Sequence, residues 1–290
     1  VYYGATLFCF GLAQKVLLAD NMARIADPLF ENWRHLTVTD SWLAAIAYSF
    51  QIFHDFAGYS NMAIGLGWAT GFYFPRNFNY PYISRSITEF WRRWHMSLSR
   101  CFRDYLYIPL GGNRGGTIKT YRNLLVVFLL CGLWHGAAWT FVLWGCYHGL
   151  LLVIERLSLE RVLQRLPTYV QHLYAVLAIV IGWVLFRSDS TYQAARILAT
   201  MFLLSRPPAE TSTTAQVLSG EQVAALLLSF LFSTPFVPQL MQRWLAMPIQ
   251  PWPRRSPSWA YAAGTVCAGA VLSFACVKVL TGAYSPFIYF

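Results

Sequence analysis

Charge is what this sequence has least of. Asp, Glu, Lys and Arg make up 12% of its 290 residues and hydrophobic residues 57%, with a mean hydropathy of +0.42. Soluble domains carry about twice that share of charge, so an ordinary soluble fold is excluded and a membrane protein is expected. Acidic residues are scarcest, 12 against 22 Lys and Arg, for a net charge of +10 and a pI near 9.5. In a soluble chain that balance would raise nucleic-acid binding. Here nine basic residues fall between Arg76 and Arg122, against only Glu89 and Asp104. Such a bias marks a cytoplasmic loop, and no nucleic-acid partner is expected.

Several chemical signatures are missing too. The six cysteines (9, 101, 131, 146, 267 and 276) form no C-x-x-C and mostly sit in apolar runs, so they read as small buried hydrophobes rather than disulfides or zinc ligands. There is no G-x-S-x-G, no phosphate-binding loop and no H-E-x-x-H; a metal site and a bound cofactor are not expected. Internal repeats and long low-complexity tracts are also lacking. The chain opens at Val1 without a basic leader or cleavage site and stops at "AYSPFIYF", so it is expected to be a piece of a longer protein, truncated at its N-terminus and again at its end.

What is present is a series of apolar stretches at about 4–19, 41–56, 60–74, 123–154, 171–186, 222–241 and 258–280, long enough to cross or partly cross a hydrocarbon core of about 30 Å. The expected fold is an all-α polytopic membrane protein of seven or eight helical segments, some tilted or incomplete. One membrane domain over 1–290 fits better than two. Polar interruptions divide it at 20–40, 75–122, 155–170, 205–221 and 248–257 ("PIQPWPRRSP").

Within the basic segment 75–122, "SITEFWRRWHMSLSRCF" opens with Ser86 three residues before Glu89, a capping-box pattern. Continued as one helix over 86–103, it puts Trp91, His95, Leu98 and Phe102 on one face and Arg92, Arg93, Arg100 and Arg103 elsewhere. Such a helix is expected to lie in the membrane interface or pack into the protein, its arginines toward cytoplasm and lipid phosphates. "IPLGGNRGG" (108–116) reads as a connection.

"CGLWHGAAW" (131–139) raises the sharpest question, because it sets an imidazole between tryptophans inside an apolar run. The 13 residues from Asn123 to His135 cover only about 20 Å as a helix. The chain is therefore expected to climb partway, place Trp134 and His135 inside the membrane, bend at Gly136-Ala137-Ala138 and return over 137–154 to the basic "ERLSLERVLQR". A single tilted helix over 123–154 is the alternative. At that depth an ionisable residue points to function, although a neutral imidazole bonding helices together weighs equally on residue type alone. His148 lies about 220° around from His135 on a continuous helix, so a packed histidine is favoured there. At His54-Asp55 a pair stabilising a helix break and a substrate contact are both open. His35 and His172 fall at segment ends, where solvated histidines are ordinary. A neutral imidazole in a dry, aromatic-lined tunnel is suited to act as general base for a hydroxyl attacking an activated acyl group.

Read together, "FHDFAGYSNMAIGLG", "FPRNFNYPYISRSITEFWRRWHMSLSRCFRDYLYIPLGGNR", "RNLLVVFLLCGLWHGAAWTFVLWGCYHG" and "SPFIYF" resemble the membrane-bound O-acyltransferase (MBOAT) family in its alginate O-acetyltransferase-like branch, most densely over about 45–155. The resemblance implies a helical bundle with re-entrant and interfacial helices around a central tunnel in the bacterial inner membrane. It implies passage of an acetyl group from a cytoplasmic donor, acetyl-CoA or another acyl thioester, to an exported polysaccharide such as alginate, with a periplasmic acetyltransferase as partner. It implies catalytic roles for His135, in the "LWHG" motif, and His95, in "WRRWH". Trp134, Trp91, Asp55 and His148 are the expected substrate contacts. Two positions depart from the family pattern, His54 where an aromatic residue is usual and Asn61 where Asp is usual. D-alanyl transfer onto teichoic acid from a carrier-protein thioester is the same-fold rival. A channel or proton-coupled transporter using His135 and Asp55 as a relay is the rival of another class.

Overall fold

The computed structural model describes residues 1–204, 218–237, 239–240 and 258–280. The Pro/Arg-rich turn at 248–257, most of the 205–221 loop and the terminal "SPFIYF" lie outside the described residues. Every regular element among the described residues is helical. In chain order the α-helices, with one π-helical stretch, are α1 (Tyr2–Ala13), the π-helical stretch (Gln14–Ala19), α2 (Asp20–Glu31), α3 (Val38–Ala69), α4 (Ile87–Arg93), α5 (Met96–Phe102), α6 (Thr117–His135), α7 (Trp139–Ile154), α8 (Glu160–Leu163), α9 (Thr168–Arg187), α10 (Thr191–Met201), α11 (Gly220–Phe232) and α12 (Ser258–Leu280); shorter 3-10 and π turns join them. Among the described residues, two continuous helical runs, Trp139–Leu163 and Thr168–Arg187, are long and apolar enough to cross a membrane.

The residues divide into two compact units, one of Val1–Ile25, Phe50–Arg76 and Leu218–Phe290, the other of Ala26–Ser49 and Asn77–Val217. In the first unit α1 packs on the second half of α3 backbone to backbone. A Cβ on Gly4 would lie 2.4 Å from the Gly65 carbonyl oxygen and one on Gly11 2.5 Å from that of Gly58. Helices approach this closely in membranes only where both carry small residues.

Within this unit the buried charges find one another. The Lys15 ammonium lies 2.9 Å from Asp20 and 2.8 Å from Asp55, all three side chains at most 4% exposed. The apolar stretch expected at 41–56 and the first part of that expected at 60–74 form one uninterrupted helix of 32 residues, which ends at Ala69. No break occurs at His54-Asp55, because both side chains are satisfied laterally: Asp55 by Lys15, and His54 Nε2 by the Ser229 carbonyl at 3.0 Å.

In the second unit α6 and α7 form an antiparallel hairpin. A Cβ on Gly132 would meet the Phe141 carbonyl oxygen at 2.3 Å, and one on Gly145 that of Phe128 at 2.3 Å. The chain does break at 136–138, so the single helix over 123–154 is excluded. Yet α6 starts at Thr117, earlier than the apolar run, and its 19 residues reach about 28 Å rather than 20 Å. At the far end the helix does not stop at the expected basic loop. It continues through a π-helical turn (Glu155–Leu159) into α8, because Glu155 and Leu163 turn inward and are buried.

Among the described cysteines, Cys9 and Cys131 are buried as expected, whereas Cys101, Cys146 and Cys276 are exposed.

Candidate active site

The segment 86–103 is not one helix. Ser86 caps α4 by accepting the Glu89 N–H at 3.0 Å, and the Glu89 carboxylate reaches back to the N–H of Arg85 rather than of Ser86. After Arg93 the helix stops, and His95 takes up the left-handed conformation at φ +43. For a residue with a Cβ this conformation is strained by about 1–2 kcal/mol. Four contacts hold the break: Asn79 donates its N–H to the Arg93 carbonyl, Met96 donates its N–H to the Asn77 carbonyl, and the N–H and hydroxyl of Ser97 donate to the Asn77 side chain. Trp91, Leu98 and Phe102 nonetheless line one cavity, from the two sides of the break.

His95 is also the N-cap of α5. Its Nδ1 accepts the Leu98 N–H at 3.2 Å. Burial holds this imidazole down to about 4, so near pH 7 the ring is neutral and its one proton sits on Nε2.

His135 ends α6, where the chain turns through Gly136. A Cβ at Gly136 would strike the Phe141 ring at 2.8 Å, so the turn admits only glycine without a shift. The His135 ring packs edge-on against Trp144 at 5.3 Å and Phe186 at 5.0 Å. Trp134 joins the two histidines: its rings lie 4.8 Å from His135 and 6.5 Å from His95, centroid to centroid.

Of the remaining expected contacts, Trp91 packs on Phe128 at 5.0 Å, Trp144 at 5.7 Å and His148 at 5.2 Å. His148 is 1% exposed, stacked on Phe90 and enclosed by Trp144 and Tyr147. A Cβ on Gly182 would lie 2.5 Å from its Nε2. That is the packed histidine its helical position favours. Asp55 belongs to the other unit, in the Lys15 ion pair. His172, read as solvated, bonds the Ser84 carbonyl at 3.1 Å, while His35 is exposed.

Sequence reasoning missed Trp144 and Phe186, which wall the His135 ring, and Asn77, which clamps the His95 turn. Their pairing is long-range, and no local spacing announces it.

Two cavities flank this region within the second unit. One of about 560 Å³ is lined by Trp91, Met96, Phe102, Phe128 and Cys131, with Arg92, Arg100 and Arg103 at its edge. It touches the residue after His95 and a residue one turn before His135. The other, about 690 Å³, lies under the glycine turn 108–116 with Arg103, Arg114, Lys119 and Arg122 around it. Asn123, fully buried, pins that turn by donating to the Leu110 and Gly112 carbonyls.

Fold and site together define a helical membrane protein centred on a pair of imidazoles. Residues 1–187 match the model of MBOAT, the membrane-bound O-acyltransferase family, and the chain belongs to that family. It is 44% identical to the "Probable alginate O-acetylase AlgI" of Pseudomonas putida over 299 residues, covering 99% of this chain and 60% of the relative. With the peptidoglycan O-acetyltransferase of Helicobacter pylori it shares 42% identity over 201 residues, 68% of this chain and 38% of the relative. The teichoic acid D-alanyltransferase of Bacillus subtilis is 38% identical over 125 residues, 41% of this chain and 32% of the relative. The chain spans about half the length of the curated relatives it matches.

Proposed function

We propose that the whole protein is a membrane O-acetyltransferase of the bacterial inner membrane, which passes an acetyl group from a cytoplasmic thioester donor such as acetyl-CoA to hydroxyls of an exported polysaccharide such as alginate. The observation that carries this reading is that His95 and His135 both pack against Trp134, although they come from separate helices and are 40 residues apart.

In this reading His135 is the general base. It takes the proton of the acceptor hydroxyl as that oxygen attacks the thioester carbonyl carbon; the carbon–sulfur bond breaks, and the departing thiolate takes the proton from the imidazolium. The products are an acetyl ester and a free thiol, with no bound cofactor required. His95, with Nδ1 engaged by the Leu98 N–H, presents Nε2–H as a donor to the oxygen that gains charge in the transition state. Trp134 and Trp91 shape the passage and His148 supports the fold around it, while Asp55 braces its own unit through Lys15.

The basic segment 75–122 faces the cytoplasm, where the donor arrives. A single membrane domain, with the α6–α7 hairpin re-entrant around a central tunnel, would let the acyl group reach a periplasmic acetyltransferase partner. D-alanyl transfer would use the same two histidines, but the longer matches to O-acetylating relatives support acetyl transfer. A proton relay through Asp55 would first have to strip that carboxylate from Lys15.

The test is the acetyl content of exported polysaccharide from cells carrying full-length His135→Ala at wild-type membrane levels. Loss of acetyl groups with the polymer still exported supports the reading. Persistent acetylation contradicts it, and failed export favours a transporter.

A further inference from the structure

Glu155 lies beyond the C-terminal end of α7, in a stretch whose sequence reads as a basic loop, yet it is 1% exposed. Its carboxylate receives four hydrogen bonds. The Ile87 N–H donates at 2.6 Å, the Thr88 N–H at 2.9 Å, the Thr88 hydroxyl at 2.6 Å and the Tyr174 hydroxyl at 3.1 Å. Two of these donors are first-turn backbone groups of α4, which have no partner within their own helix. A buried carboxylate is tolerated only when its oxygens are satisfied in this way.

These bonds fix where α4 begins, and α4 is short. Its seven residues span about 10 Å before the chain turns at His95. Along that length it is rigid: Ile87 and Phe90 are fully buried, and Trp94 stacks on Phe90 at 5.6 Å and packs on Trp183 at 4.8 Å. A shift at the N-terminus of α4 therefore reaches the strained turn at the other end without being absorbed between.

We propose that Glu155 is a positioning residue for His95, holding α4 in register so that the left-handed turn delivers the imidazole to Trp134. The proposal rests on the catalytic reading of His95 for its effect on turnover, but not for its effect on α4.

Full-length protein in detergent or vesicles tests both halves, with Glu155→Ala as the main variant and Glu155→Gln as the second should the first fail to accumulate. Amide exchange of residues 86–96 is expected to speed by about tenfold, as for a lost buried charge-assisted bond, while 139–150 and 170–186 keep wild-type protection. The kcat for acetyl transfer should fall by about tenfold or more with the donor KM within twofold, because a displaced His95 affects the transition state rather than donor binding. Unchanged exchange at 86–96, or equal acceleration in all three segments, overturns the proposal. So does faster exchange at 86–96 with unchanged kcat, where His95→Asn inactivates. If His95→Asn is itself fully active, the catalytic reading of His95 fails, and the exchange result alone decides whether Glu155 positions α4.

Discussion

In the first unit the ammonium of Lys15 sits between the carboxylates of Asp20 and Asp55 at 2.9 and 2.8 Å; in the second, the imidazoles of His95 and His135 sit among indole and phenyl rings next to a cavity. Both regions bury ionisable side chains in apolar surroundings. The first pairs opposite charges directly, one ammonium held between two carboxylates. The second packs them among aromatic rings, where burial keeps the His95 imidazole neutral. Burial of an ionisable group is therefore a weak sign of function by itself; the chemistry of its neighbours separates a strut from a reactive group.

Breaking the ion pair should have the largest effect on stability. Lys15→Met leaves two carboxylates buried side by side, and removal of one partner from such a cluster costs about 3–5 kcal/mol. A sharp fall in thermal midpoint, or in membrane abundance, is expected. A fully stable Lys15→Met protein would mean that water reaches the cluster and that the contrast between the units is false.

Next come the glycines of the α6–α7 hairpin. Gly145→Ala puts a methyl group 2.3 Å from the Phe128 carbonyl oxygen, so the helices must separate, at about 1–3 kcal/mol. Gly269 on α12 has nothing within 4 Å of its Cβ position, and Gly269→Ala should be neutral or stabilise by up to about 1 kcal/mol. Thermal unfolding of the two variants side by side checks both signs.

The smallest effect concerns the two departures from the family pattern, which turn out to be linked. Asn61 donates to Gln14 Oε1 at 2.7 Å, and Gln14 Nε2 makes a long 3.5 Å contact with His54 Nδ1. Asn61→Asp removes the donor, so Gln14 must flip and present its oxygen to His54. A loss of about 1 kcal/mol is expected, reduced when His54→Phe is added, which is a non-additivity that a double-mutant cycle would read.

Part of the candidate site's local geometry was legible in the sequence because its signals are local. Ser86 and Glu89 stand at capping spacing, Gly136 follows His135 at a turn, and an imidazole in an apolar run stands out by type. The break at His95 was not legible, since nothing in the one-dimensional pattern marks a left-handed histidine; the helical periodicity continues through it on paper, and Asn77 and Asn79, which hold the break open, lie some 16 residues upstream. Nor was the partner of Asp55 legible, since Lys15 lies 40 residues away on another element. Glu155 was hidden for a related reason. An acid next to arginines reads as solvated, and only the inward turn of the π-helical stretch reveals the carboxylate as a cap.

His95→Asn in the full-length protein tests the central claim most directly. Asparagine tolerates the left-handed conformation and its carbonyl oxygen can cap the Leu98 N–H, so the turn is kept and only the imidazole is lost. The measurement is the initial rate of acetyl transfer from a thioester to polysaccharide in membrane vesicles, with wild-type unfolding behaviour confirmed. A fall of about 10²-fold or more is the predicted result; transfer at the wild-type rate would show that the His95 imidazole takes no part in the chemistry.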